Sequence, residues 1–179
     1  MTEAHSGKVA FIWSIAELLR GDYKRSDYGK VVLPFVVLRR LDCVLADSKQ
    51  KVLEANAALP KQLENREPAL MAAAGQSFYN LSKLDFTKLL DDPEHLKENL
   101  EAYIRGFSSA ARDVLERFAF QTQIDRLASA DLLFLVVSRF AELDLHPSQV
   151  SNLEMGYMFE ELIRRFSEQS NETAGEHFT

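Results

Sequence analysis

Only one cysteine, Cys43, stands in the 179 residues. A single thiol excludes an internal disulfide framework, a multi-thiolate zinc site and a Cys-x-x-Cys redox pair, and it fits a reducing, cytosolic compartment. Glycine is sparse too, with seven residues and no two close together. A phosphate loop or a dinucleotide turn needs clustered glycines to bring backbone amides onto phosphate oxygens, so neither site can be assembled here. The histidines, His5, His95, His146 and His177, are widely separated and never take the His-Glu-x-x-His spacing of a helical zinc site; each reads as a surface or capping residue. The longest apolar run, residues 132–137, falls far short of the roughly 20 residues that cross a bilayer. The opening MTEAHSGKVAFIW has no basic stretch ahead of an apolar core, so the reading is of a chain neither exported nor membrane-spanning. An excess of positive charge is absent as well. Lys and Arg total 21 against 27 Asp and Glu, a net charge of -6, which excludes binding of nucleic acid over the whole surface and leaves room only for a local basic patch.

Hydrophobic residues make up 46% and charged residues 27%, the balance of a chain that can bury a core. The patterning is helical. Val9, Ile12, Trp13, Ala16 and Leu19 recur at steps of three and four, which predicts a helix over about residues 6–20, capped by Ser6 and stopped by Gly21. The stretch GKVVLPFVVLRRLDCVLADSKQKVLEAN starts with strand-favouring Val and Phe, but Leu38, Leu41, Leu45 and Val52 keep the helical step. A start near Lys30 would place Pro34 in the first turn, where a missing amide hydrogen is tolerated; an earlier start should kink the helix. Residues 59–80, punctuated by Pro60, Pro68 and Gly75, read as the irregular region.

Beyond it the signals sharpen. DDPEHLKENLEAYIRGF offers Asp92 as a cap, Pro93 at the first helical position and Gly106 as a stop. SSAARDVLERFAF follows, and then SADLLFLVVSRFAELDL, apolar nearly all round, reads as the central buried helix. The last helix opens at SNLE, where Ser151 and Glu154 have capping-box spacing. Met155, Met158, Phe159, Leu162, Ile163 and Phe166 are expected on its inner face, with Glu160–Arg164 and Glu161–Arg165 pairs outside. No strand pair and no repeat stands out. The fold expected is all-α, a multi-helix bundle-like domain, and no Ser, His and Asp grouping can be assembled from local sequence.

Two segments are more specific. LEMGYMFEELIRRFSEQSNETAGEHFT resembles a stretch of the modification (DNA methyltransferase) subunit of type I restriction-modification systems, where a helix leads into a Gly-x-x-Phe-Thr-Pro motif; here Gly175, Glu176, His177, Phe178 and Thr179 match it. FIWSIAELLRGDYKRSDYGKVVLPFVVLRRLDCVL resembles the N-terminal signature of the same family. The resemblance implies an N-terminal helical domain over residues 1–170 and the start of a linker or cofactor-binding segment over 171–179. It implies that an α/β methyltransferase domain follows Thr179, and that the complete protein transfers a methyl group from S-adenosylmethionine to adenine N6. Of the site that would hold this cofactor, Glu176, His177, Phe178 and Thr179 are the matching residues. The family's Gly-rich cofactor loop and its Asn-Pro-Pro-aromatic motif, which would hold a flipped adenine, do not occur in these 179 residues. The chain alone is therefore expected to be inactive, with no catalytic residue and no tight cofactor binding.

The resemblance also implies partners: DNA, a specificity subunit, a second modification subunit and, left open, the restriction (nuclease) subunit, in a cytoplasmic assembly. For DNA the candidates are Lys24, Arg25, Lys30, Arg39 and Arg40, clustered around the first turn and the second helix, where phosphate contacts would position a duplex without reading its bases. The alternative for the same residues is an ordinary surface with ion pairs to Asp22, Asp27 and Asp42. The alternative for the whole chain is a non-enzymatic helical module that docks a partner protein.

Overall fold

The computed structural model describes residues 2–178, with side chains from residue 2 to residue 172. Among these residues there is no strand, only the isolated bridges Arg20–Tyr23 and Asn80–Phe107. The helices are α1 (Glu3–Ala16), α2 (Tyr28–Leu45), α3 (Lys49–Ala58), α4 (Glu67–Ala74), α5 (Phe86–Leu89), α6 (Leu96–Arg105), α7 (Ser109–Arg117), α8 (Phe120–Ser129), α9 (Leu133–Ala141) and α10 (Asn152–Phe178). The all-α expectation holds.

The central helix is α2, which packs on α1, α7, α8, α9 and α10. Val31, Val32, Phe35, Val36 and Leu38 are all buried, and the Phe35 ring meets Phe120 edge-on at 4.8 Å and stacks on Phe140 at 5.3 Å. Burial of this kind stabilises by about 1.5–3 kcal/mol per large side chain and outweighs the weak preference of Val for strands. The reading that gave the central position to residues 129–145 is corrected by this. Helix α9 buries Leu133, Val136, Val137 and Phe140 but leaves Phe134 44% and Leu135 37% exposed.

Helix starts and stops show where side chains compete for backbone groups. Thr2, not Ser6, caps α1: its hydroxyl accepts from the His5 amide at 3.3 Å, and a 3-10 turn over Glu17–Leu19 then leads to Gly21 at φ 92°. His5 is buried and pairs with Glu154, tying the first turn of α1 to the first turn of α10, so it is not a surface residue. Helix α2 starts at Tyr28, which leaves Pro34 inside it, and the Lys30 carbonyl has no amide to receive there. A 3-10 turn over Ala46–Ser48 separates α2 from α3, which the periodicity runs together. Asp92 bonds the His95 ring at 3.0 Å and makes no capping bond to the backbone, and a 3-10 turn over Pro93–His95 precedes α6.

Half of the expected capping box is present, since the Glu154 carboxylate takes the Ser151 hydroxyl and not the Ser151 amide. The Glu154 amide donates to Ser151 Oγ at 3.2 Å, and Ser151 Oγ donates back to the Glu154 carboxylate at 3.0 Å. Of the expected outer pairs, Arg165 reaches Glu161 at 2.9 Å, while Arg164 turns to Glu161 and Glu168. Met158, Leu162 and Phe166 face the core; Ile163, expected with them, is 42% exposed. Helix α10 continues past residue 170 and closes the molecule against α1, α2 and the 3-10 turn Arg25–Asp27. Gly29, in the first turn of α2, lets α10 approach closely, because a Cβ there would sit 3.0 Å from Phe166 Cβ.

Candidate nucleic-acid interface

The basic residues proposed for DNA contact separate into two groups. Lys24, Arg25 and Lys30 are exposed; the first two are carried by the turn between α1 and α2 that rests on α10, and Lys30 by the first turn of α2. Lys24 and Arg25 take part in no ion pair among the described residues, and Lys30 lies 3.2 Å from Asp27. Arg126, from the far end of α8, joins them: its guanidinium covers the Tyr23 ring at 4.1 Å and reaches Asp27 at 3.9 Å. Arg20, whose side chain is 80% exposed, completes the edge. No sequence signal ties Arg126 to Tyr23, because the two meet only through the packing of α8. Arg20 could have been included from its neighbourhood in the chain.

Arg39 and Arg40 belong elsewhere, and their assignment to a phosphate-facing surface is corrected. Arg40 is 8% exposed, and its Nη1 donates to the carbonyls of Leu145 and Val150, each at 2.7 Å, while Nη2 donates to Asn152 Oδ1 at 2.9 Å. The Arg39 side chain is 15% exposed. It donates to the carbonyls of Leu143 at 2.9 Å and Ala141 at 3.1 Å and to Asp42 at 2.8 Å, and it lies over the Phe86 ring. The receiving carbonyls come from the end of α9 and from the connection to α10, where backbone acceptors have no helical donor. These arginines hold that connection onto α2. Burial pushes the Arg40 guanidinium down from its ordinary value, and hydrogen bonding to three acceptors suits a group that stays charged.

Around Arg39 lies a second cluster. Tyr103, almost wholly buried, donates to Asp42 at 2.6 Å, and Lys49 lies over the Tyr103 ring. Burial pushes the Asp42 carboxyl up, opposed by the Tyr103 hydroxyl and Arg39; burial also pushes the Tyr103 phenol well up and the Lys49 amine down. The Cys43 thiol is raised for the same reason, which makes it a poor nucleophile. Arg39, Asp42, Cys43 and Lys49 border a cavity of about 280 Å³ that His146 and Asp85 also line. Among the described residues no group of His, Cys, Asp and Glu could hold a metal ion. Glu176, His177, Phe178 and Thr179, assigned to the cofactor by resemblance, lie outside the residues whose side chains are described.

Fold and surface together define a helical domain built around one core, with an exposed basic turn on one edge and its conspicuous internal arginines engaged in structure. The family model described as the HsdM N-terminal domain matches residues 9–140, and the chain belongs to that family, the N-terminal domain of the modification subunit of type I restriction-modification systems. No curated protein and no solved structure matches it. No helix among the described residues is long and apolar enough to cross a membrane.

Proposed function

We propose that this domain helps the modification subunit assemble with a specificity subunit and a second modification subunit and close around DNA, in a cytoplasmic enzyme that moves a methyl group from S-adenosylmethionine to adenine N6. Residues 1–170 form the helical domain in this reading, and 171–179, with Glu176, His177, Phe178 and Thr179, begin the cofactor-binding segment. Family membership over residues 9–140 carries the proposal. The DNA-facing group is Lys24, Arg25 and Lys30, the three candidates whose side chains are exposed.

A domain of net charge -6 is repelled by DNA on average, so this edge works where partner subunits hold it against the duplex. Replacing Lys24, Arg25 and Lys30 together by Ala in the assembled methyltransferase is expected to weaken binding to all sequences alike. The log-log salt slope should flatten by up to about 0.9 for each phosphate that is no longer neutralised, with sequence preference retained. Filter binding or anisotropy across a salt series measures both. Unchanged affinity and slope would remove DNA from this edge, and a changed methylation sequence would show that the domain reads bases.

A further inference from the structure

We infer that the exposed face of α9, with the rim of α6 beside it, docks a basic amphipathic segment of a partner protein. The surface has an apolar centre. Phe134 and Leu135 are consecutive on α9 and are 44% and 37% exposed, although the opposite face of the same helix is fully packed. A cavity of about 300 Å³ opens beside Phe134, between the start of α6 and the turn that leads into α9. Its rim is acidic. Glu94, Glu98 and Asp131 line it, all exposed, and none takes part in an ion pair or a side-chain hydrogen bond among the described residues. Lys97, the basic residue on the same rim, is taken up by Asp125 at 3.1 Å, and Arg139, exposed one turn beyond Leu135 on α9, does not line the cavity.

Apolar side chains left in water beside a pocket mark a binding site more often than single exposed hydrophobes do. The charge around them selects the occupant. Three unpaired carboxylates repel phosphate, so a duplex does not fit; lysines or arginines flanking an apolar anchor fit both parts of the surface. A helix offering a large side chain to Phe134 and the cavity, with basic residues one turn to either side, meets the centre and the rim together. The inference concerns protein docking and stands independently of the DNA edge formed by Lys24, Arg25 and Lys30.

The test uses the 179-residue chain and two synthetic peptides, one of Leu and Lys and one of Leu and Glu, both in helical spacing. The Leu/Lys peptide is expected to bind in anisotropy titrations, with amide-exchange protection confined to residues 93–98 and 131–139, and the Leu/Glu peptide is not. Phe134→Ser with Leu135→Ser should weaken binding about tenfold, as removal of a central anchor does. Glu94→Lys and Glu98→Lys, with Asp131→Asn because residue 131 has a left-handed backbone at φ 58° that Asn tolerates, together should weaken it and abolish its salt dependence. The charge changes touch only exposed side chains, so they test the site even if the apolar pair perturbs folding. Equal binding of both peptides, protection elsewhere, or affinity untouched by either set of substitutions would overturn the inference. So would competition by duplex DNA for the same face.

Discussion

At the scale of single residues, Arg25 and Arg40 show how one residue type serves opposite ends. Lys24 and Arg25 turn their charge to solvent, whereas Arg40 directs its donors to two carbonyls and an amide that no helix satisfies. Arg40→Ala should destabilise by about 3 kcal/mol, because hydrogen bonds to a charged donor disappear and buried acceptors remain unpaired. Arg40→Lys should recover only part of this, since one ammonium cannot span the acceptors that a guanidinium fork reaches. Urea unfolding measures both, with Lys24→Ala as the control expected within about 0.5 kcal/mol of wild type. The burial of Arg39 and Arg40 was half legible. Their distant acceptors lie more than a hundred positions away along the chain and could not be read, whereas the Asp42 partner of Arg39 stands three residues on and was legible as an ion pair. Yet the stretch from Val31 to Leu45 is apolar on every side, and a charged residue within such a helix has nowhere to go except a partner.

At the scale of elements, the sequence signals that held were those written in adjacent turns. The Ser151 cap and the Gly106 stop each need only a few neighbouring residues, and each stands where the spacing puts it, whereas α4 with its Gly75 stop at φ 67° lies inside the stretch read as irregular. What failed depended on distant packing: the central place of the Val-rich α2, the break at Ala46–Ser48 and the half-exposed face of α9. The basic turn was legible for the same local reason, being contiguous, while Arg126 came to it from another helix. Glycines separate the two kinds of constraint. A Cβ at Gly106 would lie 2.7 Å from Asn80 Oδ1 and 3.0 Å from the backbone nitrogen of Ser82, where the chain around the Asn80–Phe107 bridge crosses. Gly106→Ala should therefore destabilise by about 1–3 kcal/mol. Gly156, inside α10 with nothing near its Cβ position, predicts the reverse: Gly156→Ala should stabilise by about 0.5–1 kcal/mol. Thermal melts of the two variants should move in opposite directions.

At the scale of the whole molecule, the first and last helices close on each other. Trp13, the only tryptophan, is half-buried on α1 and stacks on Phe166 of α10 with ring centroids 4.8 Å apart. His5 and Glu154 join the same two helices at their other ends. The contact spans nearly the whole chain, and the buried side chains of every helix from α1 to α10 form one cluster. A molecule with one core of this kind should unfold in one step, because opening the α1–α10 seam exposes α2 as well. Trp13 emission is expected to shift to the red on unfolding, and its urea midpoint should coincide with that of far-ultraviolet circular dichroism, which reports all helices together. Phe166→Ala removes the stacking partner and leaves a cavity beside Gly29, so it should lower both midpoints equally, corresponding to about 3–5 kcal/mol. If Trp13 emission instead changes well before helix content does, α10 is a separately released arm, and the single-core account of this domain fails.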